Sequence, residues 1–181
     1  EELNAIVKKY PKLTFINFAD SVINGNPKWV TRFMKAYKEN FDIPFFCHIR
    51  PDTTTEKQIK ELAEANCRNI TFGVEAGSYR LRRDVLKRNI SDEQMISVAK
   101  TIREYGIKLC TGNILGLPTE TLEESYMLVE LSKKIKPDVM STTIWQPYPG
   151  TEAMDYALER DLMDPVDFDN IRNWFSYSVL V

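Results

Sequence analysis

The sequence has few of the residues that build disulfide frameworks or metal centres. Among 181 residues there are three cysteines and one histidine. Cys47, Cys67 and Cys110 stand far apart and form no CxxC pair, which excludes a disulfide framework and predicts a small, buried, apolar role for each thiol. The lone His48 lacks the partners that a metal centre needs. We therefore expect a cytoplasmic protein with reduced cysteines.

An excess of one charge and long apolar runs are also missing. The chain has 26 acidic and 24 basic side chains, a net charge of −2. It therefore lacks the excess of positive charge that sequence-independent nucleic-acid binding needs. No window approaches 18 consecutive apolar residues, so the sequence predicts no membrane-spanning helix. With 43% hydrophobic residues, the chain has enough apolar surface to form a folded core.

The two ends of the chain suggest a piece of a longer protein. The sequence starts at Glu1 without methionine and stops on the apolar residues 179–181. We expect residues 1–163 to form one domain, and residues 164–181 to begin a truncated C-terminal extension.

Strand-like and helical segments alternate along the chain. Five apolar, β-rich runs are predicted as strands, near residues 13–18, 44–49, 69–74, 107–115 and 138–145. Helical periodicity separates them, at residues 27–40, 55–66, 78–87, 92–105, 121–135 and 151–160. Capping boxes mark three helix starts, with Ser or Thr at positions 55, 91 and 121 and Gln or Glu three residues later. Five successive βα units indicate parallel strands in a doubly wound sheet or a barrel, and periodicity does not distinguish the two.

Charged residues and glycines collect where these strands end. The segments at the carboxyl ends are residues 19–21, 48–50, 73–77, 116–118 and 146–150. In both parallel architectures this is the edge where ligands bind. The sequence therefore predicts a binding site there.

Four of these segments, in order, resemble the core of a radical SAM domain. They are Gly73-Val-Glu-Ala-Gly-Ser78, Leu86-Lys-Arg88, Gly116-Leu-Pro-Thr-Glu-Thr121 and Pro147-Tyr-Pro-Gly-Thr151. Their order resembles the elongator-protein/methylthiotransferase-like branch, and Phe18-Ala-Asp-Ser-Val-Ile-Asn-Gly25 resembles the cobalamin-binding group of that family.

This resemblance implies an α/β fold, a partial parallel, TIM-like βα barrel. It implies S-adenosylmethionine and a 4Fe–4S cluster, which together release a 5′-deoxyadenosyl radical that abstracts a substrate hydrogen. Cobalamin would sit on an upstream domain. The implied partners are a small-molecule or unidentified substrate and an electron donor such as flavodoxin or ferredoxin. The resemblance leaves two enzyme types open for the complete protein: a cobalamin-dependent methyltransferase and a porphyrin-ring cyclase.

The chain departs from the family at the cluster. The family's CxxxCxxC segment has no match here, so we expect the cluster ligands to lie outside this chain and the fragment to be inactive alone. Without the family's first strand, strand 13–18 has an open edge, which predicts self-association or coverage by residues 1–10. A cluster-free adenosyl- or nucleotide-binding barrel remains an alternative. A βα-barrel lyase or aldolase is disfavoured, because no strand ends on a Schiff-base lysine.

The resemblance assigns the main cofactor contacts to Glu75 and Arg88. Glu75 would accept hydrogen bonds from the ribose hydroxyls, and a helix-capping role is its alternative. Gly73 and Gly77 would let the backbone approach the cofactor, although Gly77 also suits a turn. Arg88 would grip the methionine carboxylate. The neighbouring cations at positions 80, 82, 83 and 87 are expected to form a solvated basic face.

Four further residues complete the predicted site. Asp20 and Ser21 match the segment that holds the cofactor's ammonium group, with an Asx-type turn as the alternative. Gly112 stands where related barrels carry an acidic ribose contact, and Asn113 is the candidate substitute. Tyr148 belongs to the loop that resembles the wall beside the adenine. The sequence leaves the roles of His48 and Arg50 open, and it predicts that Trp145 packs in the core.

Overall fold

Residues 1–164 and 178–180 are described by the structure, which is a computed structural model. Most of the extension predicted over 164–181 therefore lies outside the described residues. The chain divides into two compact units, one of residues 1–72 and 100–109, the other of residues 73–99 and those from 110 onward. No helix in the described part is long and apolar enough to cross a membrane.

Five strands form one sheet in the sequential order β1-β2-β3-β4-β5. Their bounds are Ile16–Asn17 (β1), Phe45–His48 (β2), Cys67–Glu75 (β3), Lys108–Leu115 (β4) and Val139–Ile144 (β5). β1 and β2, β2 and β3, and β4 and β5 pair in parallel. The predicted α/β fold of consecutive βα units is confirmed, although β1 is shorter than the predicted segment 13–18.

Six α-helices accompany the strands in the described part of the chain. They are Glu2–Lys9 (α1), Pro27–Asn40 (α2), Glu56–Glu64 (α3), Asp92–Glu104 (α4), Leu122–Ile135 (α5) and Glu152–Leu158 (α6). The sequence reading missed α1. The helix predicted over 78–87 contains a π-helical turn at Leu81–Val85, a local widening that is common at functional sites.

Side-chain caps explain where the helices begin. Thr55 accepts a hydrogen bond from the Gln58 backbone while Gln58 reaches back to the Thr55 backbone, and Thr121 pairs with Glu124 in the same way. Ser91 and Gln94 form the third predicted box before α4. These caps satisfy backbone N–H groups that have no partner inside the helix.

The first unit has an aromatic core between β1, α2 and β2. Phe18 packs edge-on against Phe33 and Phe45, with ring centroids 5.6 and 5.2 Å apart. Tyr37 lies in the same cluster and donates its hydroxyl to the Ile43 carbonyl at 2.7 Å. This packing fixes the strands whose ends carry Asp20 and His48.

The first unit also brings two distant cysteines together. Cys47 and Cys67 are 20 residues apart, yet their sulfurs lie 3.9 Å from each other in the buried region between β2 and β3. The hydrogen bond to Cys67, with burial, raises the pKa of the Cys47 thiol. The sequence, in which the two cysteines form no CxxC pair, gave no sign of this contact. Cys110 is only partly buried.

The second unit has its own core behind the ends of β3, β4 and β5. Buried apolar residues at its centre are Ala76, Leu81, Val85, Leu117, Trp145, Ala157 and Met163. Trp145 is 5% exposed, which confirms its predicted core position. Because Ala76, Leu117 and Trp145 each follow a strand, this core fixes the loops at the carboxyl ends of three strands.

β1 stands at one end of the sheet order. Residues of α1 and the segment 16–20 line a common cavity of about 580 Å³ in the first unit. The predicted coverage of this edge by residues 1–10, or self-association through it, stays a prediction.

Candidate functional site

Glu75 and Arg88 form a half-buried ion pair in the second unit. The Arg88 guanidinium donates through Nη1 to the Glu75 carboxylate, and its Nη2 lies 3.4 Å from the Gly73 carbonyl oxygen. Glu75 ends β3, whereas Arg88 follows the π-helical turn. The fold thus brings together the two residues to which the sequence assigned the main cofactor contacts.

Gly73 provides the space that this pair occupies. A Cβ atom at position 73 would lie 1.9 Å from Oε1 of Glu75 and 2.9 Å from Nη1 of Arg88. Any larger residue would push the two side chains aside. The space left by Gly73 is therefore filled by the Glu75 and Arg88 side chains, and its predicted close approach to the cofactor stays a prediction.

The backbone of Glu75 adopts a conformation that favours glycine. Its φ angle is +65°, in the left-handed region that non-glycine residues seldom occupy. Such strain tends to persist where the position of a side chain matters for function. Burial raises the pKa of the Glu75 carboxyl, and the charge and hydrogen bonds of Arg88 offset part of that rise.

Gly77 makes room for a helix. A Cβ at position 77 would lie 2.0 Å from the Leu128 backbone nitrogen and 2.4 Å from the Met127 carbonyl carbon, both in α5. The Cα–Cβ direction of Gly77 therefore points at the α5 backbone, and its assignment to the cofactor stays a prediction. Gly77 lets the loop after β3 pack directly against helix backbone.

The cations that precede Arg88 do not form one solvated face. Arg82 is 1% exposed, and Arg80 forms an ion pair with Glu124 at 2.7 Å. Arg83 remains at the surface beside Asp84, as expected. The prediction of a common basic face was wrong for Arg82, because helical spacing did not anticipate the π-helical turn.

Asn113 does not join the Glu75–Arg88 pair. A Cβ on Gly112 would lie 3.8 Å from the Gly73 Cα, so Gly112 is the residue of β4 that adjoins Gly73. Asn113 follows by one residue, and its side chain leaves the opposite face of the strand. It is 2% exposed and its Nδ2 donates to the Ser141 carbonyl at 3.3 Å. A ligand contact from Asn113 stays a prediction that this placement does not favour.

A cavity of about 440 Å³ opens at the ends of β4 and β5 in the second unit. Ile114, Thr143 and Ile144 line it from the strands, and Gln146 and Tyr148 line it from the following loop. Tyr148 is 51% exposed. A concave, mainly apolar wall with a flat aromatic residue at its rim suits a planar heterocycle.

The remaining predicted residues belong to the first unit. Asp20 and Ser21 are exposed in the loop that follows β1. Asn24, which follows them, is buried and donates to Thr54 Oγ1 at 2.8 Å, so it fixes the loop. Arg50 forms a two-point ion pair with Asp52, at 3.1 and 2.7 Å. His48 packs edge-on against Phe46, with ring centroids 4.7 Å apart.

The described residues do not fit a 4Fe–4S cluster. They contain no group of three or more Cys, His, Asp or Glu side chains arranged to hold a metal ion. Cys47 and Cys67 supply two neighbouring sulfurs, whereas the family's cluster takes three local thiolates.

Sequence reasoning missed two features of the site. The left-handed backbone of Glu75 depends on the loop that follows it, and no sequence signal pointed to it. Arg82 was hidden among other cations, and no helical spacing pointed to its burial, because it lies on a π-helical turn.

Comparison with known proteins agrees with this geometry. Residues 1–131 match the family model of the radical SAM superfamily. The chain is 29% identical over 181 residues to an uncharacterized methyltransferase of Pyrococcus horikoshii, covering 99% of this chain and 38% of that protein. It is 24% identical over 121 residues to a putative methylthiotransferase of Methanocaldococcus jannaschii, covering 67% of this chain and 26% of that protein. The chain thus spans well under half the length of these relatives.

A solved structure shows the same fold. The radical S-adenosylmethionine methyltransferase TsrM from Kitasatospora setae, with cobalamin and a 4Fe–4S cluster bound, superimposes with a TM-score of 0.76 at 17% identity. The alignment covers 88% of this chain and 30% of TsrM. The predicted partial βα barrel is confirmed, and the matched methylthiotransferase agrees with the branch that the loop motifs resemble. The sequence match over most of the chain, together with this fold, shows that the chain belongs to the radical SAM superfamily.

Proposed function

We propose that the complete protein is a radical SAM iron–sulfur enzyme in which Glu75 and Arg88 hold S-adenosylmethionine. The observation that carries this proposal is the Glu75–Arg88 pair, placed at the carboxyl end of β3 around the space left by Gly73. Family membership supplies the cofactor class: S-adenosylmethionine and a 4Fe–4S cluster.

The pair has the donors and acceptors that the ligand needs. The Glu75 carboxylate can accept two hydrogen bonds, which suits vicinal ribose hydroxyls. Two nitrogens of the Arg88 guanidinium, Nη1 and Nη2, donate hydrogen bonds to described residues. The third, Nε, donates to no described residue, so its N–H remains available for the methionine carboxylate. The two opposite charges also neutralise each other, which lowers the cost of keeping both half-buried.

Further residues would complete the ligand's surroundings. The cavity beside Ile114 and Tyr148 has the size and lining for the adenine. In the first unit, taken by itself, Asp20 and Ser21 offer acceptors that suit an ammonium group, and their contact with the cofactor stays a prediction. When bound, S-adenosylmethionine and the cluster supply a 5′-deoxyadenosyl radical. The task of this chain is to bind and orient the nucleoside and the amino-acid part and to exclude water.

The cluster ligands, in this proposal, are contributed by protein outside these 181 residues, and this segment alone does not cleave S-adenosylmethionine. Reduction would require an electron donor such as flavodoxin or ferredoxin. Methyl transfer with cobalamin is the reaction we favour over porphyrin-ring cyclisation. Its support is the name of the Pyrococcus horikoshii relative and the cobalamin bound to TsrM.

Binding measurements on the complete, anaerobically reconstituted protein test the proposal. Glu75→Gln and Arg88→Ala should each weaken S-adenosylmethionine binding by roughly tenfold to a hundredfold, because losing a charged hydrogen-bond partner costs about 1.5–3 kcal/mol. Iron content should stay unchanged. Arg83→Ala, at the exposed Arg83–Asp84 pair, is the matched control and should bind normally.

The same titration separates the proposal from its alternative. Wild-type affinity in both variants would make Glu75 and Arg88 scaffold residues. Full affinity in protein purified without iron and sulfide would favour the cluster-free adenosyl-binding module.

A further inference from the structure

Arg82 is a nearly completely buried arginine, 1% exposed, on the π-helical turn that separates Glu75 from Arg88. A buried charge is costly unless it is paired and fully hydrogen-bonded. A side chain of this kind therefore needs an explanation beyond filling space.

The guanidinium of Arg82 bonds to two separate stretches of chain. Its Nη1 donates to the Ala76 carbonyl at 2.7 Å and to the Gly77 carbonyl at 3.0 Å. On the other side, Nε donates to the Ile90 carbonyl at 3.2 Å, and Nη2 forms an ion pair with Asp92. The planar fork of one side chain thus spans both segments.

These two stretches are the ones that carry the cofactor pair. Ala76 directly follows Glu75, and Ile90 is two residues after Arg88. In addition, the Arg82 carbonyl accepts a hydrogen bond of 2.7 Å from the Arg88 backbone N–H. Arg82 therefore contacts the backbone next to both members of the pair without contacting their side chains.

We propose that Arg82 is a positioning residue, which fixes the separation of the chain segments that carry Glu75 and Arg88 and thereby sets the geometry of S-adenosylmethionine binding. This inference rests on the proposed function of the pair. A lysine could not replace Arg82, because a single ammonium on a flexible stem cannot match the fixed fork that serves four acceptors at once.

The test compares affinity and stability in the complete, reconstituted protein. Arg82→Lys should weaken S-adenosylmethionine binding about tenfold, as removal of outer partners does at other preorganised sites, with unchanged iron content. Ile59→Val, in the core of the first unit, is the matched control: it should lower the melting temperature without changing the affinity. A purely structural Arg82 would behave like Ile59→Val, and that result would overturn the inference.

A second experiment tests whether Arg82 acts on binding through Glu75 and Arg88. In protein that already carries Glu75→Gln and Arg88→Ala, Arg82→Lys should cause no further loss of affinity, since it acts through that pair. An equal additional loss there would overturn the positioning role. If Glu75→Gln and Arg88→Ala leave binding unchanged, the proposed function itself fails. Full affinity in Arg82→Lys alone removes only the inference about Arg82.

Asp92→Asn covers the case in which Arg82→Lys does not fold. This variant keeps the shape of the partner and removes its charge, and the Asp92 side chain is 37% exposed, so folding should survive. Calorimetric titration should show a smaller loss of affinity in the same direction. Unchanged affinity in folded Asp92→Asn would contradict the proposal.

Discussion

Gly73 and Glu75 are separated by one residue on β3, and a Cβ on Gly73 would fall 1.9 Å from the Glu75 carboxylate. The two residues share one face of the strand, since side chains alternate between faces. The position of the Glu75–Arg88 pair therefore depends on the absence of a side chain at 73.

Gly73→Ala should impair binding much more than folding. The atoms that a new methyl group would meet are the ends of two flexible side chains, which can move at little cost. We expect the free energy of unfolding to change by less than about 1 kcal/mol, while S-adenosylmethionine binding by the complete protein weakens at least as much as in Glu75→Gln. Calorimetric titration beside thermal unfolding measures both. A Gly73→Ala protein with normal affinity would show that the pair does not contact the ligand.

Gly77→Ala should do the reverse and destabilise the fold. The new Cβ would meet the backbone of Met127 and Leu128, which cannot rotate away, so overpacking should cost about 1–3 kcal/mol. Gly25→Ala is the matched control, because a Cβ there meets nothing within 4 Å. Thermal unfolding of the 181-residue chain compares the two, and equal melting temperatures would refute the packing role of Gly77.

Glu124 should make the free energy of unfolding depend on pH in the acidic range. The ion pair with Arg80, followed by hydrogen bonds from Ser78 and the Thr121 backbone, lowers the pKa of the Glu124 carboxyl from 4.5 to about 2 against the effect of burial. A carboxyl whose pKa is lower in the folded state stabilises the protein above its unfolded pKa. That contribution should be lost as the pH falls from about 4.5 toward about 2.

Denaturant unfolding across this pH range checks the dependence. The difference in unfolding free energy between wild type and Glu124→Gln should shrink steadily below pH 4.5. Glu39→Gln serves as the control, since its partner Lys35 is 3.9 Å away and both side chains are exposed, and such pairs contribute little. A constant difference for Glu124→Gln would mean that the pair with Arg80 does not stabilise the fold.

Reconstitution of the 181-residue chain with iron and sulfide should give no stoichiometric 4Fe–4S cluster. The reason is the thiol set: Cys47 and Cys67 meet at 3.9 Å, yet no group of three metal-binding side chains exists in the described residues. Anaerobic absorbance and iron analysis provide the measurement, with the complete protein as the positive control. One cluster per chain would overturn the view that its ligands lie elsewhere.

The sequence by itself determined the order and limits of most elements. The predicted helix 27–40 matches α2 residue for residue, and three capping boxes placed the starts of α3, α4 and α5. Such signals work because hydrophobic period and capping depend on residues three or four positions apart. The ordered loop motifs also singled out Glu75 and Arg88 as separate cofactor contacts, and the structure shows that the two side chains meet.

Only the tertiary structure decided how these pieces meet. The burial of Arg82, the contact of Cys47 with Cys67 and the approach of Gly77 to α5 each join residues that no local spacing relates. For this reason Arg82 was wrongly predicted to be solvated, and the packing of Gly77 against α5 was not predicted. Local sequence patterns determine which face of a helix or strand is apolar. Which atoms fill the space between two elements is determined by their packing, and in a close-packed interior this packing depends on the whole core.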